Sequence, residues 1–208
     1  MPIDWSKFAA TDTKQALPFQ VRAAFQKAGL SLEGAKVMAA EIGRENDFNP
    51  AALFGAHVDP HNKQINIGMM SWQKDRGEKL RQWLEDRGLF KGGKIVQGQQ
   101  AIDAMAEFAV QEMPKRLKET LGQPVVDYGT AVKQTADFIG WRANDPKYAQ
   151  HHTRRDTYYQ QVGGKLPSPM KNAGATQAPV DWSKFTLEKQ PNGEGVDWSR
   201  FELMKEVK

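Results

Sequence analysis

The sequence predicts a mainly α fold: a helical domain with a small hairpin or loop insert, followed by a flexible C-terminal tail. Three observations carry that expectation. Apolar residues recur at helical spacing from about residue 17 to residue 162, and no segment alternates cleanly enough to read as a long strand. About 20 residues of poor helix former, "ALFGAHVDPHNKQINIGMMSW", interrupt the pattern and leave room for a hairpin or extended loop beside a cleft. Beyond Gly163-Gly164 the chain turns to Pro, Gly, Ala and polar residues, a linker composition with little to bury.

Taken in order, Pro18 is expected to open a first helix with Val21, Ala24, Phe25 and Ala28 on one face and Gly29 as its stop. Ser31 can cap a second, whose apolar stripe runs through Met38 and Ile42 to Glu45. The third spans Arg76 to Arg87, with Leu80, Trp83 and Leu84 on one side and Gly88 closing it. Ile102, Met105, Ala109 and Met113 line a fourth; Val132, Thr135 and Ile139 a fifth; Tyr148, Arg155, Tyr159 and Val162 a sixth.

Composition narrows the chemistry. With 208 residues the chain can bury a sizeable core and frame a cleft. It has no cysteine, which rules out disulfides, thiolate zinc sites and cysteine nucleophiles. Its longest apolar runs fall far short of the ~20 residues that cross a bilayer, so no membrane span is expected. The start "MPIDWSKFAATD" has neither a charged n-region nor an apolar h-region, and synthesis in a cytoplasm without a secretory signal is expected. A net charge of +4 and a pI near 9.2 suit an anionic partner, cell wall or nucleic acid, without choosing between them.

A hexapeptide recurs: "IDWSKF" at 3 to 8, "VDWSKF" at 180 to 185 and "VDWSRF" at 196 to 201. The rings of each pair, Trp5 with Phe8, Trp182 with Phe185, Trp198 with Phe201, are three residues apart and share one side of a helical turn that the Asp can cap. They read either as anchors folding back on the domain or as tethered docking motifs; the intervening linker and the Trp/Phe chemistry favour docking. The organisation expected is a docking segment over residues 1–12, a catalytic domain over 13–163, and a linker and tail over 164–208.

The stretch "RENDFNPAAL" raises the question of function. Glu45 lies seven residues after Met38 and three after Ile42, so its carboxyl group is expected to emerge from the apolar stripe of its helix. Burial there would raise its pKa and leave a protonated acid, as cleavage of a glycosidic bond requires. Asn49-Pro50 turns the chain out of the helix and sets that acid at a rim. The plain alternative is a boundary glutamate in the last turn. Downstream, "NIGMMSWQKDRGEKL" supplies a glycine, an apolar wall and an aromatic platform, and the insert supplies Asp47 and Asp59 as second carboxylates with polar Asn62, Gln64 and Asn66.

"E-N-D-F-N-P-A" followed by "I-G-M-M-S-W" and a basic "K-D-R" resembles the lysozyme superfamily, in particular phage tail and virion lysozymes and the related soluble lytic transglycosylases. The resemblance is densest over residues 38 to 84 and does not reach the repeats. It implies an α+β lysozyme-like fold, no cofactor, and cleavage of the β-1,4 bond between N-acetylmuramic acid and N-acetylglucosamine in peptidoglycan glycan strands. Glu45 matches the family's catalytic acid, and Phe48 and Pro50 the segment after it. Gly68, Met69, Met70 and Trp72 match the cleft-lining motif; Ser71 replaces the family's usual Gln, with Gln73 nearby as a further contact. Asp59 is the candidate second group for hydrolysis, whereas a transglycosylase works with one Glu and lets the sugar's own hydroxyl close an anhydro ring. Tyr148, Tyr158 and Tyr159 are candidate sugar contacts. A wall-cutting enzyme without a secretory signal fits packaging in a phage virion, with action on the host wall and the repeats gripping other virion proteins of the ejection, portal or tail apparatus; holin-assisted release is the alternative.

Rival readings have weaker motifs. Glu41 competes as the acid, but the Phe-Asn-Pro segment follows Glu45. "HVDPH" spaces His57 and His61 four apart, yet Pro60 keeps them off one helix face and no third ligand is apparent, so no metal is expected. "HHTRRDTYY" could be a nucleic-acid patch, a reading the modest net charge does not favour; the same segment as a helix would complete a cleft wall. A helical virion component without activity stays open as the second class of function.

Overall fold

The computed structural model describes residues 6–58 and 63–167, with side chains described for 16–56, 58 and 63–167; these fall within one compact unit. Asp59 and His61, the rings of Trp5 and Phe8, and Trp182, Phe185, Trp198 and Phe201 lie outside the described residues. The described part is mainly helical, with two short antiparallel hairpins.

Helix α1 (Ser6–Lys27) begins well before the expected start at Pro18 and runs through that proline. A proline removes one helical hydrogen bond and crowds the preceding turn. Leu17, Val21, Ala24 and Phe25, all buried, pin the segment on either side of it. At the far end Gly29 adopts φ 104°, and Leu30 N–H donates to Phe25 O at 3.1 Å, closing the helix.

Helix α2 (Leu32–Asn46) starts at the predicted cap: Ser31 Oγ accepts from Gly34 N–H at 3.0 Å and donates to Leu121 O at 2.9 Å. It is the central element, buried on every side from Gly34 to Arg44. Packing one buried Met38 or Ile42 into such surroundings contributes about 1.5–3 kcal/mol. Its C-terminus is a double left-handed turn, Asp47 at φ 54° and Phe48 at φ 51°, after which Asn49 caps the single turn α3 (Pro50–Leu53).

Strands β1 (Ala56–Val58) and β2 (Ile65–Ile67) form a hairpin in the insert, one of the two forms open from the sequence, with His57 opposite Asn66. Ile67 and Trp72 then exchange backbone hydrogen bonds of 2.9 and 3.0 Å, closing a tight turn over Gly68 to Ser71. Helix α4 (Lys74–Glu85) buries Leu80 and Leu84, and Gly88 at φ 67° ends the turn after it. A second hairpin, β3 (Phe90–Lys91) with β4 (Lys94–Ile95), turns through Gly92 and Gly93; no strand was expected there. Helices α5 (Gln99–Glu112), α6 (Lys115–Gly122), α7 (Tyr128–Ile139) and α8 (Ala149–Gln161) complete the domain, with a 3-10 turn at Pro146–Tyr148. Of these α6 is an addition to the sequence reading. Helix α2 packs against α1, α6, α7 and α8, and α4 against α5 and β2. Among the described residues no helix is long and apolar enough to cross a membrane.

Candidate active site

The last turn of α2, the hairpin and the α7–α8 connection converge on a cleft of about 800 Å³. One wall is Arg44 and Glu45. The floor is Asn66 and the segment Met70 to Gln73, flanked by Arg76, and Trp141, Tyr148 and His151 continue the wall that Arg44 begins. The volume and the mixture of aromatic faces with a few convergent polar groups suit an organic ligand of several rings.

Arg44 organises the first wall. It is buried, and its guanidinium donates from Nε to Glu41 Oε2 at 2.6 Å, pairs with Glu45 Oε2 at 3.0 Å and meets His151 Nδ1 at 2.8 Å. Its flat face lies 5.0 Å from the centre of the Trp141 ring. One side chain therefore fixes both glutamates, a histidine from α8 and an aromatic wall. Arg is suited to this because its fork of donors is rigid and always charged.

The two glutamates have opposite surroundings, and this corrects the sequence reading. Glu41 is fully buried, and burial pushes its carboxyl up from the ordinary glutamate range against the opposing pull of Arg44 and Arg155. Glu45 is exposed as a residue, with 30 % of its side-chain surface accessible, and it opens onto the cleft. The greasy setting expected for position 45 belongs to the residue one turn earlier. Rotation by about 100° per residue leaves the two on nearly one face, so position along the axis separates their fates: α2 is enclosed along most of its length, and only its final turn emerges.

The floor is held from below. Trp72 Nε1 donates to Glu112 Oε1 at 2.5 Å, and Arg76 grips the two oxygens of the same carboxylate at 2.5 and 3.1 Å. Gln73 Nε2 donates to Asn66 Oδ1, locking the turn to strand β2. Asn46 spans the two sides: Nδ2 donates to Met69 O at 2.9 Å, while Oδ1 accepts from Phe48 N–H at 3.0 Å.

Six of the residues expected at a site thus meet around one cleft: Glu45, Met70, Ser71, Trp72, Gln73 and Tyr148. Phe48, Gly68 and Met69 do not line it. Phe48 packs edge-on against Tyr158, with ring centres 5.5 Å apart, below the rim. Gly68 sits where a Cβ would come within 2.9 Å of Met105 Sδ, so its role is close packing, and Met69 is buried. Asp47 turns away, accepting from Tyr158 and pairing with Arg154 at 2.5 Å; these partners hold its carboxyl below the usual aspartate range. Tyr159 is buried with its hydroxyl on Glu33 at 3.1 Å. Among the described residues no cluster of three acidic or histidine side chains is disposed to hold a metal.

Trp141 and His151 escaped the sequence reading. His151 stacks on Trp141 at 5.5 Å with 26° between the rings, and Tyr148 meets it edge-on at 5.1 Å. Their only local signals are an aromatic just past the Gly140 helix stop and a histidine within "HHTRRDTYY". No family model matches the chain, and neither curated proteins nor solved structures provide a match.

Proposed function

We propose that the cleft binds a glycan strand of peptidoglycan and that Glu45 protonates the glycosidic oxygen of the β-1,4 bond between N-acetylmuramic acid and N-acetylglucosamine. The observation that carries this reading is the position of Glu45. It stands on the last turn of α2, facing into a cleft floored by the Met70 to Gln73 turn and walled by Trp141 and Tyr148. Sugar rings pack their C–H faces on such aromatic surfaces, and the amides of Asn66 and Gln73 offer polar contacts.

In this reading a glycan seated in the cleft excludes water from the site and brings its bridging oxygen to the Glu45 carboxyl group. The proton passes to the bridging oxygen as the C1–O bond breaks, leaving an oxocarbenium-like sugar. Water captures that sugar in a lysozyme; its own C6 hydroxyl captures it in a lytic transglycosylase, giving a 1,6-anhydro end; in either case the O–H bond of the nucleophile breaks and its proton returns to the Glu45 carboxylate. Among the described residues that line the cleft, Glu45 is the sole carboxylate. Asp59, the partner hydrolysis would use, lies outside the described residues.

The proposal includes the finer architecture, a lysozyme-like α+β domain with the β1–β2 hairpin beside the cleft, and a setting in a phage virion that delivers the enzyme to the host wall. The DWSKF/DWSRF repeats would then bind other virion proteins. Zymography on cell-wall gels tests the chemistry: a clearing band for the native protein, lost in Glu45→Gln, is expected, and equal clearing by both removes Glu45 from the reaction. Mass spectrometry of the released muropeptides assigns reducing or anhydro ends.

A further inference from the structure

We infer that His151 is a ligand-contacting residue, whose Nε2–H donates a hydrogen bond to a neutral oxygen acceptor, the acetamido carbonyl of an N-acetylated sugar, in the cleft beside Glu45. The inference deepens the glycan reading and rests on it for the identity of the acceptor.

The protonation pattern follows from the partner. Arg44 NH1 meets His151 Nδ1 at 2.8 Å, and a guanidinium can only donate. Nδ1 is therefore the acceptor, and the ring is neutral with its one proton on Nε2. Arg44 cannot swing away to release it, since the same guanidinium bonds Glu41 and pairs with Glu45. Burial, with the Arg44 cation next, pushes the imidazole below the usual histidine range, which keeps it neutral at physiological pH.

This arrangement excludes His151 as a general base, because its one free lone pair is already engaged. It leaves a donor. The ring lines the cleft, clamped between Trp141 and Tyr148, and its Nε2 has no protein partner among the described residues. A hydrogen bond received at Nδ1 from a cation also polarises the ring and strengthens the Nε2–H as a donor. The amide carbonyl is the strongest neutral acceptor that an N-acetylated sugar presents.

Two substitutions separate donation from mere stacking. His151→Phe keeps a ring against Trp141 but cannot donate; His151→Gln loses the stack but can accept from Arg44 through Oε1 and donate through Nε2. A donor role predicts that kcat/KM on purified peptidoglycan falls on the order of tenfold or more in His151→Phe and is largely restored in His151→Gln. A Gln variant no better than the Phe variant, or a Phe variant equal to the native protein, overturns the inference.

Nitrogen-15 NMR of the full-length histidine-labelled chain supplies a readout independent of turnover, with His151→Phe assigning the signal. The expected state is a bare Nδ1 and a protonated Nε2 whose resonance moves on titration with the tetrasaccharide of N-acetylglucosamine. A proton on Nδ1, a charged ring at neutral pH, or an Nε2 signal untouched by the saccharide overturns the inference. A moving Nε2 signal in a protein that cleaves no wall sustains it while removing the proposed reaction.

Discussion

Replacing Arg44 by methionine tests the hub of the site. The variant keeps a linear apolar side chain and removes the guanidinium that holds the fully buried Glu41 at 2.6 Å. The remaining cation near that carboxyl is Arg155, whose NH1 stands 3.9 Å from Oε1. Breaking a buried pair from one side costs about 3–5 kcal/mol, because the surviving charge stays desolvated. The pH dependence has a definite sign. Burial already raises the Glu41 pKa in the folded protein, and Arg44 is the largest opposing influence, so its loss raises it further. The folded state then holds the proton to higher pH than the unfolded chain. Stability is fully present below the unfolded glutamate value and is lost as pH rises through the folded one, by up to about 1.4 kcal/mol per pH unit. Urea unfolding followed by tryptophan fluorescence, run between about pH 5 and pH 8, should show a deficit of about 3–5 kcal/mol at the alkaline end that shrinks on acidification. A deficit below about 1 kcal/mol, or one that does not change with pH, would refute the account of Glu41 as a desolvated acid restrained by Arg44.

Two further perturbations probe the frame. Gly34→Ala gains about 1 kcal/mol of helix propensity but sets a Cβ 2.0 Å from Leu121 O, the carbonyl that receives both Ser31 hydrogen bonds. Overpacking and two weakened bonds should leave it about 3 kcal/mol less stable in urea, whereas Gly122→Ala, with nothing within 4 Å, should be neutral; a stable Gly34→Ala contradicts the close α2–α6 contact. Tyr158→Phe removes the leading cause of the depressed Asp47 pKa, and its stability loss should stay under about 1 kcal/mol because Asp47 is 59 % exposed. That loss should be present above the unfolded carboxylate value and vanish as pH falls through the folded one; a loss that persists in acid would point to packing instead.

Much of the frame is written locally. Ser31, the Gly29 and Gly88 stops, and the stripes of α4, α5 and α7 all depend on neighbours within a turn or two, and each appears where periodicity and caps put it. The Gly92-Gly93 pair carries a hairpin signal of the same kind that the helical reading passed over. What periodicity could not resolve is the fate of two acids on one helix. A helix enclosed by four neighbours has no polar face to contrast with its apolar one, so Glu41 and Glu45 look alike until the partners are known. The aromatic part of the wall was illegible for a different reason. Trp141 and His151 reach Arg44 across about a hundred residues, a pairing that only the packing of α8 on α2 creates.

Asn46 gives the cleft a fixed aperture. One amide, bonded at 2.9 Å to Met69 in the turn that carries the floor and at 3.0 Å to Phe48 in its own segment, acts as a spacer between the end of α2 and that turn. A tie of this kind holds the spacing between the end of α2 and the Gly68 to Ser71 turn whatever occupies the cleft.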